Sequence, residues 1–127
     1  MEEALRARLL ATAGVTALVG QRVTWKIRAR GSALPAIVLH LISVREDTTH
    51  DGLSGLSESR VQVDCIADTH FAALAVRRAV KAAMGGYRGP DFQAVFVAAQ
   101  RDDVDTGDVN NPVFRTSLDL MVWHAAA

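Results

Sequence analysis

The sequence has almost no cysteine. A single thiol, Cys65, stands in 127 residues, so no disulfide can close within the chain and the fold must be held by its core. Excess charge of either sign is also missing: fourteen Lys and Arg balance fourteen Asp and Glu, for a formal net charge of zero with His neutral. That balance argues against general attraction to nucleic acid or to an anionic membrane surface, and leaves only local charge to steer a partner. The opening "MEEALRARLL" starts acidic and sustains no apolar run, so it reads neither as a secretory signal nor as a membrane span. The expectation is a protein that stays in the compartment where it is made, with Cys65 reduced and buried at an apolar strand position.

Signatures of chemistry are scarce as well. His40, His50, His70 and His124 form no helical i, i+4 pair and no paired spacing with Cys65, so no metal is expected. The acidic stretch "DDVDTGDVNN" places Asp103 and Asp105 alternately, but Gly107 comes one residue early for a calcium loop and Phe114 occupies the twelfth position. Ser54 follows Gly52 by two residues, yet Gly55 comes one residue early for a nucleophile elbow. No glycine-rich phosphate loop follows a strand, since "MGGYRGP" lacks the spacing and the lysine. Asp64 and Asp119, at polar strand positions, are the one pair that could act as acid and base if their strands were neighbours; the simpler expectation is two solvent-facing carboxylates. No cofactor is implied.

What the chain does contain is regular patterning over one domain's length, residues 1–127, without repeats or low-complexity linkers. Leu5, Leu9 and Thr12 align on one side of an N-terminal helix over about 2–13, closed by Gly14, and a short helical turn then stops at Gly20. "RVTWKI" alternates Val23, Trp25 and Ile27 inward, and a second strand starts after Pro35 with Ile37, Leu39 and Leu41 in one phase. Val61, Val63 and Cys65 mark a third, one-sided strand. Asp68 or Thr69 caps a second helix over about 69–84, whose packing face gathers Ala72, Ala73, Val76, Val80, Ala83 and Met84. Two more strands follow: "FQAVFVAAQ", with Phe92, Ala94, Phe96 and Ala98 in phase, and "VFRTSLDLMVWH", with Phe114, Thr116, Leu118, Leu120 and Val122 in phase. The tail "HAAA" is expected to fray. This order predicts an α+β fold: a single, mainly antiparallel β-sheet with about two helices packed on it and a long β-hairpin loop.

That loop, "REDTTHDGLSGLSESR" over residues 45–60, is far longer than the two to five or so residues a hairpin needs. Two further features call for a partner. Phe71 and Leu74 fall off the packing face of the second helix, beside Arg78, and Met121 and Trp123 occupy the outer phase of the last strand. The cluster Arg22, Lys26, Arg28 and Arg30 is basic, and the stretch bearing Asp102, Asp103, Asp105 and Asp108 is an acidic loop.

Taken together, "EEALRARLLATAGVTALVGQRV", "ALPAIVLHLIS", the long loop, "RVQVDCIADT" opening an alanine-rich helix, and a last strand ending "DLMVWH" resemble the tail terminator proteins of long-tailed phages and phage-like gene transfer agents. These are also called tail-completion or tail-to-head joining proteins. The resemblance covers nearly the whole chain and rests on packing and turn patterns, not on a catalytic signature. It implies a structural virion protein, not an enzyme, that forms a homohexameric ring on the tail tube, ends tail growth and joins the tail to the head's connector or stopper protein. DNA would pass through such a ring without sequence-specific binding, and no membrane is involved. The protein would be found in the host cytoplasm during assembly and then at the head-proximal end of the tail.

On that resemblance residues 45–60 become an assembly loop, with Leu53 and Leu56 as apolar anchors and Arg45, Glu46, Asp47, His50, Asp51 and Glu58 as its polar part. Phe71, Leu74, Arg78, Met121 and Trp123 become candidates for the subunit interface. Arg28 and Arg30, against Asp102, Asp103, Asp105 and Asp108, become oppositely charged loops at the tube-facing and head-facing ends or across a subunit boundary. The alternatives are a head-completion or neck adaptor protein and, in another class, a small α+β ligand-binding domain or enzyme built on Asp64 and Asp119.

Overall fold

The computed structural model of the chain describes residues 1–28, 33–49, 52–105 and 112–125, with the side chains of 47–49, 52–54 and 105 excepted. The elements run α1 (Glu2–Leu10), α2 (Ala13–Val19), β1 (Val23–Trp25), β2 (Ala36–Thr49), β3 (Gly52–Ala67), α3 (His70–Met84), β4 (Ala94–Asp105) and β5 (Val113–Ala125). The five strands form one sheet in the order β1-β2-β3-β5-β4, antiparallel except that β1 runs parallel to β2. The α+β expectation is met, with three helices rather than two.

All three helices contribute to one core on one face of this sheet. Leu5 and Leu9 of α1, Val15 and Val19 of α2, and Val76, Val80 and Met84 of α3 pack against Ile37, Leu39, Val61, Val63, Cys65, Leu118, Leu120, Val122 and Val95. Each leucine wholly removed from water contributes about 1.5–3 kcal/mol relative to exposure, which explains why the alternating positions dictate the face. Thr69 caps α3 by accepting a hydrogen bond from the Ala72 N–H at 3.2 Å. The N-terminal helix ends at Leu10, earlier than its periodicity predicts, because Thr12 turns extended and becomes the cap residue of α2. Gly14 therefore lies inside α2, while Gly20, at φ 58°, closes it.

β1 is clipped to the body by side chains that reach backbone carbonyls. Arg6 Nε donates to Val23 O at 2.7 Å, and Trp25 Nε1 donates to Glu2 O at 3.0 Å. Lys26 takes a positive φ of 74° and ends the strand, so Ile27, expected inward, is 75 % exposed.

Residues 45–49 and 52–60 are not a loop. Both flanking strands continue through them, with Arg45 opposite Glu58 and Thr48 opposite Leu53, so the segment is a long two-stranded arm. The acidic stretch 101–105 likewise belongs to β4, where Arg101 opposes Ser117 and Asp103 opposes Arg115. In β4 it is Val95 that faces the core. Phe96 points out, 55 % exposed, and Phe92 is buried in the connection ahead of the strand.

Candidate assembly surfaces

The arm begins where the sheet stops supporting it. Among the described residues, β5 last pairs with β3 at Leu56 opposite Ala125, and beyond that rung only the β2–β3 pairing remains. A register shift between Glu46 and Thr48 accommodates Gly55, whose φ of 81° lies in the left-handed region that glycine adopts without strain. At the base of the arm Arg45 Nη2 donates to Glu58 Oε2 at 3.2 Å across the two strands. Glu46 is exposed and Leu56 half-buried. Asp47 and Leu53 lie on the arm's backbone, with side chains outside the described set; His50 and Asp51 fall outside the described residues altogether.

The apolar candidates occupy two separate places. Phe71, in the first turn of α3, is 79 % exposed and meets His70 edge to face at 5.6 Å; His70 in turn approaches Phe114 at 6.5 Å. Arg78 is exposed on the same helix, whereas Leu74 is half-buried. Met121 and Trp123 lie on the opposite face of the sheet and near its other end, beside the arm: Met121 opposes Arg60 and Phe96, and Trp123 opposes Glu58 and Ala94. The fold does not bring the two groups together.

The charged groups also resolve into specific contacts. Arg28 and Asp103 line one recess with Ile66, Val104, Val113 and Arg115, so these two oppositely charged residues lie at the same end of the subunit. Arg115 donates to Asp103 at 2.7 Å and Arg77 to Asp102 at 3.2 Å. The backbone N–H of Val104 and then the Arg115 guanidinium hold the Asp103 carboxyl below its usual range. Arg30 and Asp108 lie outside the described residues, as does the Asp105 side chain.

The expectation of solvent-facing carboxylates at Asp64 and Asp119 is overturned. Their strands are neighbours and their side chains share the sheet's outer face, yet they are only 3 % and 4 % exposed. Asp119 accepts from Arg60 at 2.8 Å and from Arg101 at 3.0 Å. Burial pushes the Asp119 carboxyl up, but these two guanidinium groups overcome it and hold it below the usual carboxylate range. Asp64 accepts from Ser117 Oγ at 2.6 Å and Gln62 Nε2 at 2.8 Å, with His40 Nε2 3.1 Å from its other oxygen. Arg101 also donates to Gln62, at 2.8 Å, joining the two carboxylates into one network. Polar residues in the outward phase of both strands were the available signal; their burial depends on β3 and β5 being neighbours, which strand patterns alone do not specify.

One further pair has a catalytic look. Ser59 Oγ and His124 Nε2 are 2.7 Å apart, and His124 Nδ1 lies 2.8 Å from Ala125 O. A carbonyl can only accept, so Nδ1 donates to Ala125 O, and in a neutral imidazole Nε2 is then the acceptor for the hydroxyl. Ser59 is wholly buried, which makes this contact a means of satisfying two buried polar groups. Among the described residues no three His, Cys, Asp or Glu side chains converge as a metal site would need.

No curated protein matches the chain. Among solved structures, a chain from the virion of a native gene transfer agent particle superposes with a TM-score of 0.76 at 20 % identity, covering 99 % of this chain and 95 % of that one, which establishes a shared fold. The family model for tail completion protein gp17 matches residues 3–125, and it is to this family of phage tail structural proteins that the chain belongs.

Proposed function

We propose that this protein ends tail growth by assembling as a ring, a homohexamer, on the last ring of the tail tube, and that the ring then receives the head's connector or stopper protein. The observation that carries the reading is the two-stranded arm, which extends past the last rung β5 supplies and therefore has no packing role in its own subunit's described core. Paired backbone gives it a defined direction, so it reaches a neighbour or the tube as a preformed element with little ordering cost. Arg45, Glu46, Asp47, His50, Asp51, Leu53, Leu56 and Glu58 are its contact residues in this reading. Phe71 and Arg78 on α3, and Met121 and Trp123 on the opposite sheet face, supply two unlike patches, as head-to-tail contacts require. The recess holding Arg28 and Asp103 sits at the sheet end away from the arm and offers mixed charge to a second partner.

The role is structural and not enzymatic: Asp64 and Asp119, the pair that could have served chemistry, are each held by several hydrogen bonds. The subunit would act in the host cytoplasm during assembly and reside afterwards at the head-proximal end of the tail, with DNA passing through the ring without sequence recognition. The test is to add the purified protein to growing tail tubes and measure tube length by electron microscopy. Growth should stop, with a ring at one end of each tube. Tubes that lengthen unchecked while the protein binds the head's connector would make it a neck adaptor instead.

A further inference from the structure

We infer that neighbouring subunits join edge to edge, the open stretch of β2 in one copy pairing antiparallel with β4 of the next, so that the sheet continues from subunit to subunit. The inference rests on the ring reading above and names its contact. β1 pairs with β2 only at residues 37–39, and among the described residues no strand lies alongside β2 beyond them. β4 forms the opposite border of the sheet and, among the described residues, pairs with β5 alone. Among the described residues both borders therefore present backbone donors and acceptors that no strand pairs, although Val95 O at the start of β4 already accepts from Gly86 N at 2.9 Å, and the free groups are a template for another strand.

Their levels and chemistry match. One row crosses the sheet from Val44 through Ser59 and Val122 to Val95, and the next from Ser43 through Arg60 and Met121 to Phe96. On the β2 border this level carries Leu41, Ile42 and Val44, the last two 51 % and 52 % exposed; on the β4 border it carries Phe96 and the exposed Ala98. The charges Arg101 and Asp102 of β4 lie lower, in rows whose other end is the part of β2 that β1 covers: Arg101 opposes Ser117, Ser117 opposes Asp64, and Asp64 opposes Val38. Sheet borders commonly carry charges that discourage pairing. Here β4 carries Phe96 and Ala98 at the level where β2 is open, and Arg101 and Asp102 at the level where β1 covers it.

The directions also agree. β2 runs with β5 and against β3 and β4, so a copy set alongside brings its β4 antiparallel to β2, repeating the ladder used inside the subunit. Because the two borders differ, the contact is head to tail and propagates until a rotation closes it.

The chain provides a clean test, since its only cysteine, Cys65, is wholly buried and burial, with help from the Asp64 charge, pushes its thiol up to about 12. Ser43→Cys and Phe96→Cys variants are mixed and treated with a bismaleimide of about 8 Å reach, enough for opposed or diagonal cross-strand positions. Native mass spectra are recorded in parallel. A cross-linked dimer should appear in the mixture and in neither variant alone, and the double variant should give a ladder ending at the subunit number of the ring. A ring without the mixed cross-link overturns the edge contact and leaves the ring standing. Cross-linking by one variant alone replaces it with two-fold pairing of like borders, and a chain that stays monomeric at every concentration and on tail tubes removes both.

Discussion

Asp119 carries a residue-level consequence of the strand order. Its folded carboxyl lies below its unfolded value of about 3.9, so the stability it contributes is complete above that pH and is lost as pH falls through the lower folded value. Asp119→Asn should therefore flatten the acid side of a urea-unfolding series taken from pH 7 to pH 2, while lowering stability at pH 7 by roughly 1–3 kcal/mol through the lost charged hydrogen bonds. An acid slope identical to that of the unmodified chain would show that Asp119 is not responsible. Phe71 and Leu74 separate on the same logic of environment. Phe71→Glu should change monomer stability by less than about 0.5 kcal/mol and still block assembly in native mass spectra, whereas Leu74→Glu should lower the melting temperature outright because Leu74 is half-buried. The burial of Val61, Val63 and Cys65 was legible from alternation because one helix-covered face imposes it. Asp64 and Asp119 were not legible as buried, since guanidinium groups and hydroxyls from neighbouring strands cover them. The alternation in "FQAVFVAAQ" left open which phase faces the core, because Phe92 is buried ahead of the strand and out of its pleat while Phe96 points outward.

At the scale of the element, α3 was readable almost to the residue, since Thr69 caps it and five apolar positions share a face. The arm was not. A strand announces itself in sequence when one of its faces is buried; beyond Leu56 the arm has, among the described residues, neither β5 beside it nor a core beneath it, and its Ser, Thr, Asp and Gly composition carries the loop signal. Backbone pairing holds it instead. Replacing residues 47–56 by Asn-Gly, a two-residue turn that suits antiparallel strands and keeps the Glu46–Ser57 pair, should leave the melting temperature within a few degrees of the unmodified chain. The same variant should fail to stop tube growth in the electron-microscopic assay. Tubes of normal length with the shortened chain would remove the arm from the mechanism, and a large fall in melting temperature would place its base in the core.

For the whole molecule, the family and the α+β class were visible in the sequence because both rest on long-range order of helices and strands rather than on any one site. The parallel placement of β1 on the sheet border was not, since three residues are too few to show how a strand will pair. The arm rises from one end of the sheet, and the recess with Arg28 and Asp103 lies at the other. A ring closed by unlike borders has no two-fold axis across it, so its two rims are chemically different objects. Every arm would crown one rim and every mixed-charge recess the other. Such a ring is intrinsically directional: it would seat on a tube one way round and leave a distinct surface for the head, with orientation written into each subunit before any partner arrives.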